Sequence, residues 1–325
     1  MQRFKNILCV VNEVKSSKEA LKRAARLALN NQARLTVTGV APHVSVGMGI
    51  PENGQISKEL QAAVVKTCAT ELAAAVSTLD NHRQIETRVL VGIGFLEIIR
   101  EILRHDFDLV IKATENTEWL QRMFGSEDMH LLRKCPCPVW LVKPSSPSGF
   151  RRVIAAVDVD NAYPPGELQV RRALNHLVLE LASSQALADS AELHIVHAWQ
   201  AVGESAMRGS FMRSSEEKVS AYIDSTRQLR EAEMDRLIAH LAERIGEQGM
   251  QFLAPLTHLE KGRVRKVIPS LASRLEADLV VMGTVARTGV PGFITGNSAE
   301  SILQQIDCSV LAVKPPGFET PVTLE

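Results

Sequence analysis

The segment Asp278-Leu-Val-Val-Met-Gly-Thr-Val-Ala-Arg-Thr-Gly-Val-Pro-Gly-Phe-Ile-Thr-Gly-Asn-Ser298 holds the residues best suited to bind an anion. Leu279–Met282 is a short apolar run that reads as a buried strand. Glycines follow at 283, 289, 292 and 296, and a helical pattern begins at Ala299. A strand, a glycine-rich loop and a helix N-terminus present backbone N–H groups outward and let a phosphate come close. The spacing is neither a P-loop, since no Gly-Lys-Ser/Thr follows, nor a Rossmann G-x-G-x-x-G. A purely structural reading also fits. Asn297-Ser-Ala-Glu300 is a capping box, Gly289 and Gly292 are turn residues around Pro291, and Arg287 is a solvated cation.

Other reactive residues are less well arranged. Cys135-Pro-Cys137 is a close thiol pair with only His130 nearby in sequence. Zinc usually takes four ligands, and no second Cys/His pair has matching spacing. Turn residues entering a strand are the simpler reading. His194 and His197 fall three apart in a strand, so they face opposite sides and cannot share a metal. No carboxylate or nucleophile stands beside His197 in sequence to make it a general base. Neither a Gly-x-Ser-x-Gly elbow nor a His-Glu-x-x-His motif is present. The sequence therefore indicates no enzyme, and leaves slow ATP hydrolysis or autophosphorylation open.

The whole chain sets the frame. Its 325 residues are enough for two domains, with 45% hydrophobic residues but only 4% aromatic ones, so the cores are aliphatic. Lys and Arg balance Asp and Glu at 37 against 37, which offers no electrostatic case for nucleic acid or an anionic membrane. Ile7–Val11 is too short for a signal peptide, and no run approaches the roughly 18 apolar residues of a membrane span. Five cysteines without repeating spacing fit reduced thiols. A soluble cytoplasmic protein is the expectation.

Strands alternate with helices along the chain. Ile7–Val11, Arg34–Val40, Glu86–Val91, Leu109–Ile111 and Val139–Val142 read as strands. Ser16-Ser-Lys-Glu19 reads as a capping box before a stripe of Leu21, Ala24, Ala25 and Ala28. A helix over roughly 56–80 follows, and Phe95, Ile98, Ile99 and Ile102 stripe another. Lys143-Pro-Ser-Ser-Pro-Ser-Gly149 is a linker, after which the pattern restarts at Val153–Val157. Asp108-Leu-Val-Ile aligns with Asp278-Leu-Val-Val at an offset of 170 residues, and Val139–Lys143 aligns with Val310–Lys314 at 171. Asn12 pairs with Asp158 at only 146, so the second copy carries insertions. One is a long helix with Met234, Leu237, Ile238, Leu241 and Ile245 on one face. The spacing implies βαβ units with parallel sheets, in a duplicated unit divided at 1–147 and 148–325. Long polar loops near Gly47-Met-Gly49 and Gly203-Glu-Ser205 read as lids.

These motifs together resemble the universal stress protein family, in its tandem bacterial E type. The resemblance rests on the glycine loop, on Leu131-Leu-Arg-Lys-Cys-Pro-Cys-Pro-Val-Trp-Leu-Val-Lys143, on Thr257-His-Leu-Glu-Lys-Gly262 and on Gly296-Asn-Ser-Ala-Glu300. It implies an α/β fold: two doubly wound five-stranded parallel sheets with strand order 3-2-1-4-5, and a ligand crevice between strands one and four. It also implies ATP or a related adenine nucleotide in the second half, with no metal beyond the magnesium a nucleotide brings. Asp158 would take adenine or ribose hydrogen bonds, Ala198 would border adenine, and Met282 and Gly283 would end strand four. Gly296, Asn297 and Ser298 would cradle phosphates, with Arg287 adding a charge-assisted bond.

Two departures weaken that match. Ala286 replaces the second glycine, costing about 1–2 kcal/mol if the backbone there is left-handed. Asn297 replaces the terminal Ser/Thr. The first half departs further: Asn12 replaces the aspartate, Ala113 replaces the first glycine, and Glu115 and Glu118 oppose a triphosphate, with Gly125-Ser126 surviving. By resemblance the protein is a binding or regulatory module for stress survival, including resistance to DNA-damaging agents. Its halves are expected to form an intramolecular pseudo-dimer through their fifth strands, and a further homodimer is compatible. A ligand-free interaction scaffold and a carrier of an apolar small molecule are the alternatives.

Overall fold

Short runs of Val, Ile and Leu bounded by turn residues become strands, and most helices between them bury one stripe. The computed structural model describes residues 4–44, 54–80, 84–114, 127–209, 212–284 and 297–324. The elements of the first repeat are β1 (Asn6–Val10), α1 (Val14–Asn31), β2 (Arg34–Ala41), α2 (Gln55–Ser77), β3 (Glu86–Val91), α3 (Gly94–His105), β4 (Leu109–Ala113), α4 (Glu127–Lys134) and β5 (Val139–Val142). The second repeat begins with β6 (Arg152–Ala156), α5 (Pro165–Asp189), β7 (Glu192–Trp199), α6 (Glu204–Arg208), α7 (Glu216–Leu253) and β8 (Leu256–Lys261). It ends with α8 (Val264–Arg274), β9 (Leu279–Gly283), α9 (Asn297–Leu303) and β10 (Ser309–Val313).

Residues up to Gly149 and from Asp307 onward form one compact unit, and the rest of the described chain forms a second. In the first unit the parallel strands run β3-β2-β1-β4-β5, the order that the family resemblance implied. The second unit repeats it as β8-β7-β6-β9. In sequence β10 is the fifth strand of the second repeat. In space it lies in the first unit, antiparallel to β5, with Val310 opposite Leu141 and Ala312 opposite Val139. The linker is held there too: Arg23, in α1, donates to the Pro147 and Ser148 carbonyls, and the Ser146 and Ser309 hydroxyls lie 2.6 Å apart.

Burial follows position in the sheet. Every residue of β1, β4 and β5 is buried, as expected of strands covered on both faces, while β3 and β8 at the edges expose much of their length. The repeat is written into hydrogen bonds as well. Asp108 accepts from the backbone N–H groups of Lys5 and Asn6, and Asp278 accepts from those of Arg151 and Arg152. The aspartate before each fourth strand thus fixes the start of each first strand.

Two local expectations change. α1 begins at Val14 with Glu13 as its N-cap, and the Ser16 hydroxyl bonds back to the Glu13 carbonyl. Ser16 is therefore inside the first turn and does not cap it. α7 is interrupted at Gly246, whose φ of 73° belongs to the left-handed region that glycine tolerates. Of its expected stripe, Met234, Leu237 and Leu241 are buried, while Ile238 and Ile245 are half-buried. Among the described residues no helix is long and apolar enough to cross a membrane.

Candidate functional site

In the second unit the chain leaves β6 toward β7 on one side and pairs with β9 on the other. Asp158, Ala198 and Gly283 therefore sit at or just beyond the carboxyl ends of three adjacent strands, at a topological switch point. The backbone around Asp158 is held from two sides. Asn175 of α5 accepts from the Asp158 N–H at 2.9 Å and donates to its carbonyl at 2.7 Å. His197 brings Nδ1 within 3.2 Å of the Val157 carbonyl and 3.4 Å of the Val159 N–H. This imidazole is buried, its Nε2 has no partner among the described residues, and desolvation pushes its pKa below the ordinary value. It is neutral at pH 7.

The Asp158 carboxylate is met by the chain's own groups. Arg171 donates to Asp158 Oδ2 at 2.5 Å, and the Tyr163 hydroxyl donates to the same oxygen at 3.0 Å. The Asp160 N–H takes Oδ1 at 3.1 Å. Arg171 also donates twice to Glu167, one turn earlier, and its guanidinium lies 3.6 Å from the Tyr163 ring centroid. Burial, and then the Asp158 charge, push the Tyr163 hydroxyl up to about 12, so it remains a donor. A second arginine, Arg230 of α7, pairs with Asp160 at 2.7 Å and donates to Asn161 at 2.8 Å.

The floor is apolar. Met282 is buried in the core, and a Cβ added to Gly283 would come within 2.5 Å of Leu174 Cδ2. Leu174 of α5 thus rests on the glycine. Ala198 is half-buried, and Ser298 is exposed near the start of α9, whose first residue is Asn297. Arg287 and Gly296, with Ala286, Gly289 and Gly292, lie outside the described residues, as do Glu115, Glu118, Gly125 and Ser126 of the first repeat. Gly47 and Gly49 do too. Gly203, described, opens the five-residue α6 at φ 93°.

The corresponding place in the first unit is built differently. Lys112 of β4, in the position of Met282, is buried and donates to Asp128 Oδ1 at 2.5 Å. Asp128 stands in the first turn of α4, where a carboxylate also meets the positive end of the helix dipole. Its neighbour Glu127 accepts from the Gly94 N–H at 3.0 Å, tying α4 to the start of α3.

Sequence reasoning named Asp158, Gly283 and Ala198 as neighbours, and the strand ends place them so, but it missed the groups that meet Asp158. One signal was available. Glu167, Arg171 and Asn175 recur every four residues, so a helix starting at Pro165 puts them on one face. The thiols of Cys135 and Cys137 lie 3.6 Å apart and buried, and no group of three metal-ligating side chains occurs among the described residues. His194 and His197 point to different partners, His194 Nδ1 lying 3.0 Å from His258 Nε2.

Comparison with known proteins agrees with this architecture. The profile of the Universal stress protein family matches residues 3–143 and 149–314. Universal stress protein E of Escherichia coli (strain K12) is 29% identical over 332 aligned positions, covering 100% of this chain and 98% of that one. A crystal structure of a functionally unknown protein from Pseudomonas aeruginosa PAO1 shares the fold with a TM-score of 0.61 at 24% identity, over 97% of this chain and 94% of that one. The structure of a universal stress protein from Archaeoglobus fulgidus DSM 4304 does so with a TM-score of 0.60 at 17% identity, over 95% and 98%.

Proposed function

The chain belongs to the universal stress protein family and has a stress-response role, and we propose that its second repeat binds ATP or a related adenine nucleotide at the end of β6. The observation that carries this reading is Asp158: a carboxylate at the switch point, 37% exposed, with Ala198 and Gly283 at the flanking strand ends. It can accept adenine or ribose hydrogen bonds once Arg171 lets go. Arg171 is a latch, because Glu167 and the Tyr163 ring also hold it when Asp158 is released. The first repeat takes no nucleotide, since Lys112 and Asp128 occupy that place. On this reading the protein is a binding module rather than a catalyst: His197 is buried with Nδ1 engaged by backbone, and Asp158 serves ligand hydrogen bonds rather than proton transfer.

A second reading has its own observation. Leu174 rests on Gly283 while Arg171 and Tyr163 satisfy Asp158, so the crevice is filled by the chain itself. On that reading the protein is a ligand-free interaction scaffold. Mass spectrometry of small molecules released on denaturing the purified full-length chain separates the two. An adenine nucleotide from the wild type, and none from Asp158→Ala, is the expected result. Nothing released, with no ATP taken up by dialysis, supports the scaffold; a bound apolar molecule overturns both.

A further inference from the structure

His176 of α5 and His240 of α7 stack face to face, with ring centroids 4.0 Å apart and planes 13° from parallel. They sit in the seam by which α7 lies on α5, beside the buried stripe of Met234, Leu237 and Leu241. Charged groups surround the stack from both helices. α5 contributes Arg172 and Glu180; α7 contributes Glu233, Arg236, Glu243 and Arg244. Arg172 pairs with Glu233 at 3.9 Å and Arg244 with Glu180 at 3.0 Å, so acid and base nearly cancel around the rings. The strands beneath α5 direct their titratable groups elsewhere. Arg152 pairs with Glu192 and Glu276, His194 with His258, and His197 with the Val157 carbonyl. Glu243, 78% exposed, lies 3.9 Å from His240 Nδ1 and can meet one positive ring, while Glu180 and Glu233 already face arginines, which leaves a second positive charge in the seam poorly compensated.

We propose that the His176–His240 stack is an acid-responsive joint: neutral rings hold α7 on α5, and two imidazolium rings drive the helices apart. Stacked rings tolerate one charge, but two like charges at 4.0 Å repel strongly in a half-buried seam. Desolvation first, and the partner ring second, already hold the His176 proton affinity below its ordinary value of 6.5. A proton is therefore taken up more readily when the seam is open than when it is closed. Acid favours the open form for that reason, and stability of the seam falls as pH drops through and below about 6.5. Opening uncovers Met234, Leu237 and Leu241. It also withdraws Arg230, ten residues earlier on α7, from Asp160 in the loop that carries Asp158. The joint itself does not depend on nucleotide binding.

Amide hydrogen exchange of the full chain, read by mass spectrometry near pH 7.5 and near pH 5.5 and corrected for intrinsic rates, tests this. Residues 234–245 should lose protection at the lower pH, by up to about tenfold per pH unit for each proton taken up on opening, while β6 and β7 keep theirs. Both His240→Gln and His176→Gln should abolish the acid loss. Each leaves His194, His197 and His258 in place. Equal protection at the two pH values overturns the proposal. So does an acid loss that spreads equally through β6 and β7, or one that survives intact in the His240→Gln chain.

Discussion

At the end of β4, Lys112 and Asp128 meet at 2.5 Å with their side chains 2% and 9% exposed. Beyond the end of β6, Arg171 and Asp158 meet at the same distance, with Arg171 13% and Asp158 37% exposed. The geometry is alike and the consequence is not. An ion pair taken out of water cannot be opened without stranding a charge in a low-dielectric interior, so the first switch point is sealed. A pair whose carboxylate water still reaches opens at a smaller cost, because Asp158 is rehydrated as it parts. Arg171 has Glu167 and the Tyr163 ring to fall back on, so the second switch point is latched. Duplicated strand ends have thus kept one architecture and separated in how deeply their ion pairs are buried.

The sharpest way to break this contrast is to remove one carboxylate from each place. Asp128→Ala should destabilise the chain by about 3–5 kcal/mol in urea unfolding, because Lys112 loses its counter-ion while buried. Lys112→Met with Asp128→Leu, which removes both charges, should recover most of that loss. A penalty for Asp128→Ala no larger than that for Asp158→Ala would remove the distinction between sealed and latched.

A smaller effect is expected at the floor. Ala113 already carries a Cβ where the second repeat has Gly283, yet a Cβ at 283 would strike Leu174 at 2.5 Å. Gly283→Ala should cost about 1–3 kcal/mol by thermal melting, since Leu174 must leave its rotamer or shift. Adding Leu174→Ala should relieve the clash, leaving only the cost of the truncated leucine. Additive losses in the double variant would mean that the two residues do not bear on each other.

Strands were legible because their runs of Val, Ile and Leu are short and bounded, and the repeat because Asp108 and Asp278 recur before matching strands. Asp158 was legible for the same reason, as the residue that closes an apolar run. The partners were not. Arg171 and Asn175 reach Asp158 across 13 and 17 residues, and only the spacing of Glu167, Arg171 and Asn175 marked their helix face. Lys112 stood visibly inside the apolar run Leu-Val-Ile-Lys-Ala, which signals a buried partner without saying which acid supplies it. The placement of β10 was half visible, since the pairing of fifth strands came from the family resemblance while membership of the first unit depends on packing.

Acid should separate the units more gently. His197 is held neutral by burial, so the unfolded chain takes up the proton first as pH falls below the ordinary 6.5. Stability of the second unit should therefore decline through that range, and His197→Gln should flatten the decline in urea midpoints measured across pH. An unchanged slope in the variant would show that His197 is not the titrating group.

Most direct for the latch is Arg171→Ala, expected to lower the unfolding free energy by about 1–2 kcal/mol because Glu167, 16% exposed, loses its bonds to the guanidinium. Its consequence is read by calorimetric titration of the full-length chain with ATP. The wild type should bind about one ATP per chain, Asp158→Ala none, and Arg171→Ala should bind several-fold more tightly because the carboxylate no longer has to be released. Two equivalent sites in the wild type would contradict a sealed first repeat. Weaker binding in Arg171→Ala, or wild-type binding in Asp158→Ala, would contradict a latched second one.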